Sequence, residues 1–595
     1  MYNTINKDRG YQMENNQITS EYLSNRILRF GDTLDYASVV FKTNDCLKYS
    51  DTDISVYCAV VDASKGHEDD IAIIFMNTSI TYKALIDQAD KVSDILTSFN
   101  IRKGDMVLLG ANSPQAVSIL LACSKIGVGA MILTERTTPE QFANTISNID
   151  IPFMFCTSNI YASFSENNAV DELAHIVILP FDKPIGKDTS DKEYSEQISN
   201  VCTWDSFLNY KIIEKAEEIK GGYFPLTISA STGSTGAPKG IVIENRCFIA
   251  LEKIIRKAGF DWERGDIISS TLSTGVVTGT SLLLLVPLMM GITIVQHPRY
   301  ANKNPFISFL DDSSFHKATI LFSPPSLWMA MIASHKDNVD LSNVRHAYTI
   351  GEPVSDSEYK IINDFLKNNK VKDRLRNMYG MSEVNSIATY SPDNLSDFTF
   401  AGVALPYSDI AIFDHDSLQE LPFGDPGEVF ICIPTVMREY LYNPKATKEF
   451  FIKDEYGQKW VRTGDLGTMN RNGELTILGR ISNRFKTPDG SYIYPYMIEN
   501  ILLKLKEVSL VKMTNIEYKG KMVYALHVIP SDLSLDKKEL AEKVFNVISE
   551  RKEINYLPRL IKIRDSFPKN QGGKVDMNQL SQEEDGFFEF LDVKE

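Results

Sequence analysis

From Ser55 onward the chain alternates two kinds of segment, and this alternation restricts its fold more than any other feature. Short apolar runs at 71–76, 106–110, 151–156 and 318–322 have the length of buried strands. Between them lie longer stretches with apolar residues at helical spacing, such as 82–98 and 114–127. Strands that alternate with helices build largely parallel sheets covered by helices, so an α/β fold is expected. At 595 residues the chain is too long for one core. The segment 409–433 is rich in β-branched residues and turns, which predicts a small antiparallel or barrel-like unit. After Gly479 the pattern becomes a shorter α/β unit with Lys-rich helices, and a boundary is expected at 480–483. Residues 1–52 are polar and Asn-rich and read as an extension.

A formal net charge of −16 argues against a nucleic-acid partner, which would call for a basic surface. The seven cysteines contain no C-x-x-C pair and read as reduced thiols of a cytoplasmic protein. The eight histidines form no cluster with zinc spacing, so no structural metal is expected. No basic segment followed by an apolar one marks a signal peptide at the N-terminus. The stretch 267–296 carries no charge, but its first half is Ser, Thr and Gly, and its apolar part, 282–290, is short and contains Pro287. It predicts a buried helix followed by a strand at 292–295, not a membrane span.

Between β-like runs at 224–230 and 241–244 lies Ser231-Thr232-Gly233-Ser234-Thr235-Gly236-Ala237-Pro238-Lys239-Gly240. Glycines let successive N–H groups turn toward an anion, hydroxyls add donors, and Lys239 adds charge. The spacing is not that of the Walker loop, because Lys239 is followed by Gly240 and not by Ser or Thr. By itself the run reads equally well as a flexible surface loop. Downstream stands Asn377-Met378-Tyr379-Gly380-Met381-Ser382-Glu383. An exposed Tyr beside Gly offers a face for a purine, and a carboxylate nearby can hold Mg²⁺ against phosphate oxygens; the alternative is an ordinary turn. Arg462-Thr463-Gly464-Asp465 presents a carboxylate that can accept both hydroxyls of a ribose, or simply cap a turn. Gly479-Arg480 follows, and Lys574 stands behind Gly572-Gly573, where a lysine is either solvated or able to swing into a site.

Taken in order, these motifs make the chain resemble the adenylate-forming superfamily: acyl-CoA synthetases, aryl-acid ligases, luciferases and adenylation domains of peptide synthetases. The resemblance spans roughly 55–585, with lesser matches at Thr81-Tyr82, Gly351-Glu352, Gly427-Glu428 and Tyr440 to Pro444. It implies a large N-terminal domain over 53–480, made of two α/β subdomains plus a small β-barrel-like one. It also implies a small mobile α+β domain over 481–595 carrying the catalytic lysine. Such enzymes join a carboxylate to the α-phosphate of ATP, release pyrophosphate, and pass the acyl group to a thiol. The resemblance implies that Ser231, Thr232, Gly233, Ser234, Thr235, Gly236 and Lys239 hold the departing phosphates, and it counts Gly380 and Ser382 among the nucleotide-binding residues. It gives Glu383 the Mg²⁺, and Lys574 the attacking carboxylate and α-phosphate. Tyr379, Asn377, Gly351 and Glu352 surround adenine, Asp465 takes the ribose, and Arg480 reaches the ribose or phosphate. The hinge falls at Ser482, where the family has Asp or Lys, and Gly490 is the best match for a glycine lining the thiol tunnel.

The acid itself is less legible. Amino-acid-activating relatives place an Asp in the segment that corresponds to 274–281, and this chain has none there. A buried α-ammonium would lack a counter-charge, which favours an acyl or aryl acid without a free α-amine. By motif position Val276, Thr278, Tyr348, Thr349, Met381 and Asn385 line the pocket or merely pack around it. The acceptor is coenzyme A or the phosphopantetheine of an acyl carrier protein. Alternatives are an amino-acid-activating enzyme of the nonribosomal type and an inactive nucleotide-binding scaffold.

Overall fold

The helix Pro114–Ile126 explains why two sheets share one core. The Ser113 side chain accepts from the Ala116 N–H, Pro114 stands in the first turn, and Gly127 ends the helix at φ 73°, a conformation that suits glycine. Apart from Lys125 its residues are buried all round. A helix without a polar face must lie between layers. The computed structural model describes residue 47 and residues 49–590, apart from 77, 134–136, 138–150, 166–169, 171–172, 181–199, 231–238, 298–304, 336–338, 394, 396, 398–399, 454–458, 487–491, 552–555, 569–574 and 584.

On one side of this helix is an eight-stranded sheet in the order Glu439–Tyr440, Gly240–Glu244, Pro225–Ala230, Gly129–Ile132, Met106–Gly110, Phe153–Cys156, His175–Ile178 and Val201–Thr203. It is parallel from Pro225–Ala230 onward. The other side holds a seven-stranded sheet in the order Leu375–Met378, His346–Ile350, Ile320–Phe322, Ile267–Ser270, Thr293–Gln296, Ile71–Phe75 and Thr78–Thr81. Only the last pair is antiparallel. Ile73 and Ile294 of one sheet and Val107 and Ala130 of the other join the helices in one continuous core. Alternate residues serve the outer faces: Leu108 and Met131 on one sheet, Leu321 and Ala347 on the other.

The uncharged stretch 267–296 forms the strand Ile267–Ser270, a helical run with a wide π turn at Ser281–Leu285, and the strand Thr293–Gln296. No helix among the described residues is long and apolar enough to cross a membrane. Asp409–Phe413, Gly427–Cys432, Lys459–Met469, Phe451–Lys453 and Leu475–Arg480 form the expected antiparallel unit, a five-stranded sheet. A four-stranded sheet toward the C-terminus is built on the hairpin Val508–Tyr518 and Lys521–Pro530. Helices Pro495–Leu503 and Lys537–Ser549 share its core through Ile498, Leu502, Leu540 and Val544. The class is mixed α/β, with a large N-terminal part and a small C-terminal one. Cys58, Cys123, Cys156, Cys202, Cys247 and Cys432 are free thiols.

Candidate active site

The strands Ile267–Ser270, Ile320–Phe322, His346–Ile350 and Leu375–Met378 run parallel, so their C-terminal ends lie along one edge. Open α/β sheets bind ligands outside the carboxyl ends of their strands. The segments leaving that edge are the ones the sequence singles out: 274–281, Gly351-Glu352 and Tyr379–Glu383. Gly351 has φ 90°, which favours glycine. The Glu352 carboxylate accepts from the Ser326 N–H at 3.2 Å, in the first turn of the helix Pro325–Ser334. Asn377 pairs with Thr349 across the ladder and donates its amide to the Phe400 carbonyl at 3.2 Å.

Tyr379 leaves the sheet half-buried, and its N–H donates to Thr389 Oγ1 at 2.9 Å. Its hydroxyl donates to Asp465 Oδ2 at 2.6 Å. Asp465 stands opposite Arg480 on the neighbouring strand, and Arg480 Nε lies 2.9 Å from Asp465 Oδ1. A second guanidinium N–H donates to the Thr463 carbonyl at 3.1 Å. Burial raises the Asp465 carboxyl above the usual range, while Arg480 and the Tyr379 hydroxyl pull it back down. Burial, with the Asp465 charge added, drives the Tyr379 phenol far above its ordinary value. The turn is held from below by Glu428, only 1% exposed, whose Oε1 accepts from the Gly464 N–H at 3.1 Å. Arg462 and His415 hold the Glu428 carboxylate at 2.5 Å and 2.6 Å.

Glu383 lies in a short 3₁₀ turn, Ser382–Val384. Its Oε1 accepts from the Tyr440 hydroxyl at 2.8 Å, and its carbonyl accepts from the Met437 N–H at 2.7 Å. Lys239 Nζ sits 4.9 Å from the centre of the Tyr440 ring. Lys239, Tyr440 and Glu383 therefore form a row beside one end of the 231–238 segment. The flanking strands Pro225–Ala230 and Gly240–Glu244 are paired antiparallel, with Ala230 opposite Gly240, as a hairpin requires. A Mg²⁺ ion takes one or two carboxylates and completes its shell with substrate oxygens and water. Glu383 supplies a donor of that type. No group of three or more His, Cys, Asp or Glu among the described residues forms a closed cage.

Gly380 is fixed by close approach: a Cβ there would lie 1.9 Å from the Ser386 carbonyl oxygen. Asn385 and Ser386 adopt φ 59° and 112°, uncommon for residues with side chains. Asn385 is fully buried, its carbonyl accepts from the Ser281 hydroxyl at 3.2 Å, and its side-chain amide has no partner among the described residues. The Thr349 hydroxyl is likewise buried without one. Tyr348 is enclosed by aromatic rings, stacked on Phe322 at 4.6 Å, and its oxygen accepts from Trp262 Nε1 at 3.3 Å. Met381 and Thr278 are half-buried and Val276 is exposed. Ser482 is exposed in the 3₁₀ turn Ile481–Asn483. Ser231, Thr232, Gly233, Ser234, Thr235, Gly236, Gly490 and Lys574 lie outside the described residues.

The structure adds roles that the sequence did not give. Tyr440 orients Glu383, and Glu428 carries the turn that presents Asp465. Both lie in short motifs, Tyr440 to Pro444 and Gly427-Glu428, that carried no stated chemistry. The available signal for Glu428 was an acidic residue inside a run of strand-forming ones.

Residues 60–441 match the family model described as AMP-binding enzyme. A probable CoA ligase of Humulus lupulus, CCL5, is 25% identical over 532 residues, covering 86% of this chain and 90% of that protein. The indoleacetate–CoA ligase of Aromatoleum aromaticum is 25% identical over 518 residues, covering 86% and 94%. The crystal structure of the anthranilate CoA ligase AuaEII in complex with anthranoyl-AMP superposes with a TM-score of 0.73 at 18% identity, over 90% of this chain and 98% of that one. At that identity the likeness shows the fold. The chain belongs to the AMP-binding enzyme family, the adenylate-forming superfamily. Its enzyme class is that of the AMP-forming acid–thiol ligases.

Proposed function

We propose that this enzyme activates an acyl or aryl acid without a free α-amine as its adenylate, and then passes the acyl group to the thiol of coenzyme A or of a carrier-protein phosphopantetheine. The observation that carries the reading is the pair of constellations that include Tyr379 and Glu383 of the segment leaving one sheet edge: Tyr379–Asp465–Arg480, and Lys239–Tyr440–Glu383. Phosphoryl chemistry of this kind needs positioning and charge neutralisation more than covalent help. In this reading Asp465 accepts the ribose hydroxyls while Arg480 and Tyr379 orient it and oppose the effect of burial on its charge. Tyr379 offers its ring to adenine, with Asn377, Gly351 and Glu352 at the purine edge. Lys239, with Ser231, Thr232, Gly233, Ser234, Thr235 and Gly236, holds the phosphates that leave. Glu383, oriented by Tyr440, would hold Mg²⁺, which supplies charge neutralisation on phosphate oxygens when bound. Lys574 neutralises charge that builds between the attacking carboxylate and the α-phosphorus. Thr349, Met381, Asn385, Thr278, Val276 and Tyr348 belong to the acid pocket. The small unit from 481 onward turns about Ser482 between the two half-reactions.

The absence of an acid in 274–281 supports an acid without an α-amine, and the names of two relatives, indoleacetate–CoA ligase and anthranilate CoA ligase, support an aryl acid. The test is ATP–pyrophosphate exchange across aryl, short acyl, long acyl and amino acids. Exchange with an aryl or acyl acid, lost in Lys574→Ala, is the expected result. No exchange with any acid would overturn the reading. Parallel assays with coenzyme A and a phosphopantetheinylated carrier protein then identify the acceptor.

A further inference from the structure

Just past Glu383 the chain buries polar atoms that it does not pair. Asn385 and Ser386 are both buried. Neither Oδ1 nor Nδ2 of Asn385, nor the Ser386 hydroxyl, has a hydrogen-bond partner among the described residues. No other two sequence neighbours among the described residues leave buried side-chain polar atoms unpaired in this way. Burial without a partner strips a polar group of its hydration and returns nothing. Backbone conformation does not account for the choice of residue. Asn385 has φ 59°, which asparagine tolerates, but glycine would meet it without burying an amide. The backbone around the amide is held at three points. The Asn385 N–H donates to the Ser382 carbonyl at 3.1 Å, and the Ser386 N–H donates to the Met381 carbonyl at 3.3 Å. The Asn385 carbonyl accepts from the Ser281 hydroxyl at 3.2 Å. That contact ties Asn385 to the wide turn Ser281–Leu285, which begins where the segment 274–281 ends. A wide turn inside a helical run is frequent at functional sites. Asn385 thus joins two of the segments that supply the acid pocket in the reading above.

We propose that Asn385 is a specificity-determining residue, and that the acid carries a neutral substituent with a hydrogen-bond donor and an acceptor side by side, a carboxamide or an equivalent lactam. The inference rests on the function proposed above and names its substrate class more closely. An asparagine amide presents an acceptor oxygen and two N–H donors. A carboxamide placed opposite takes up both Oδ1 and Nδ2 in a pair of N–H···O bonds. The Ser386 hydroxyl, next in sequence, supplies a further donor or acceptor. A charged substituent fits worse. Ser281, Met381, Ser382 and Val384 carry no charge, and the Glu383 carboxylate is engaged by the Tyr440 hydroxyl. A charge buried here would lack a partner. A purely apolar substituent would leave the amide unsatisfied. Met381, at the head of the same turn, is half-buried and unbranched, a side chain that yields readily to a neighbouring group.

The experiment measures kcat/KM for ATP–pyrophosphate exchange with the full chain and paired acids. The two members of a pair share one aryl or acyl skeleton and bear either a carboxamide or the isosteric isopropenyl group at the same position. That position is moved along the skeleton from pair to pair. Where the substituent reaches Asn385, the carboxamide acid should be favoured roughly 100-fold, because a site built for a hydrogen bond rejects the analogue that lacks it. Asn385→Gly suits φ 59° and deletes the amide. In this variant the preference should shrink to within a few-fold, the isopropenyl acid gaining, with thermal unfolding to verify that the protein is folded. Exchange in the parent without a carboxamide preference at any position overturns the inference, whether or not the variant folds. A preference that survives in Asn385→Gly overturns it as well. Failure of exchange with every acid overturns instead the function proposed above.

Discussion

Tyr379, just beyond the strand Leu375–Met378, and Asp465, in a strand of another sheet, are 86 residues apart, yet the Tyr379 hydroxyl donates to Asp465 Oδ2 at 2.6 Å. Arg480 closes on the other carboxylate oxygen at 2.9 Å. Two donors thus favour the ionised form of a carboxylate that burial pushes above the usual range. A buried carboxylate becomes a reliable acceptor for ligand hydroxyls only if it stays charged at neutral pH.

This relationship predicts the outcome of Tyr379→Phe. A hydrogen bond to a charged group contributes about 1.5–3 kcal/mol, so apparent ATP affinity in the exchange assay should fall roughly 10- to 100-fold. The sign of the pH effect follows from the same contact. Losing a donor to the ionised form lets burial raise the Asp465 carboxyl further. The acid limb of the ATP KM profile should therefore move to higher pH in Tyr379→Phe. An unmoved limb would mean that the pair does not govern ATP binding.

The Tyr440–Glu383 bond, 2.8 Å long, predicts a different signature. Tyr440→Phe keeps the ring beside Lys239 but removes the hydroxyl that orients the carboxylate. The Mg²⁺ concentration for half-maximal exchange should rise about tenfold, with the ATP KM at saturating Mg²⁺ changed little. Glu383→Gln should abolish the response to Mg²⁺ in the same titration.

Gly380 and Gly351 separate two reasons for a glycine. At Gly380 a Cβ would meet the Ser386 carbonyl oxygen at 1.9 Å, so Gly380→Ala has to move backbone. A loss of about 3 kcal/mol or more is expected, together with loss of activity. At Gly351 φ is 90° and nothing lies within 4 Å of an added Cβ. Gly351→Ala should cost only about 1 kcal/mol of backbone strain. Thermal unfolding of both variants decides this, and equal shifts would contradict the geometry.

These cases also mark how far the sequence could be read. Period and length reveal a helix at 114–127 and strands at 106–110 and 151–156, observed as Pro114–Ile126, Met106–Gly110 and Phe153–Cys156, because burial on all sides leaves an apolar run. Motif order singled out Tyr379, Glu383, Asp465 and Arg480, and the structure joins Tyr379 to Asp465 and Asp465 to Arg480. Tyr440 and Glu428 were illegible as site residues because their role lies in what they touch 57 and 36 positions away. The wide turn at Ser281–Leu285 was equally hidden, since an apolar run looks the same in an α- or a π-helical turn.

The C-terminal sheet carries an acid-sensitive lock. His527 is fully buried between Thr514, at 2.9 Å from Nε2, and Arg564, at 3.3 Å from Nδ1. A guanidinium can only donate, so Nδ1 accepts and the ring is neutral with its proton on Nε2. Burial and the Arg564 charge lower the imidazolium to about 4, from an ordinary value near 6.5. The unfolded chain thus binds a proton between pH 6.5 and 4 that the folded sheet refuses, and stability falls with pH across that window by about 3 kcal/mol. Glu583 acts next. Its carboxylate, held mainly by Arg564 and also by Lys562, is lowered to about 2, so its contribution is complete above its ordinary 4.5 and is lost as pH falls toward 2. Acid should therefore open this sheet in two stages. Hydrogen exchange of the amides in Val508–Tyr518 and Lys521–Pro530, corrected for intrinsic rates, should show protection falling from pH 6.5 downward. In His527→Leu the fall should begin only below about pH 4.5, where Glu583 starts to protonate. The same pH profile in the variant and the parent would remove His527 from the account.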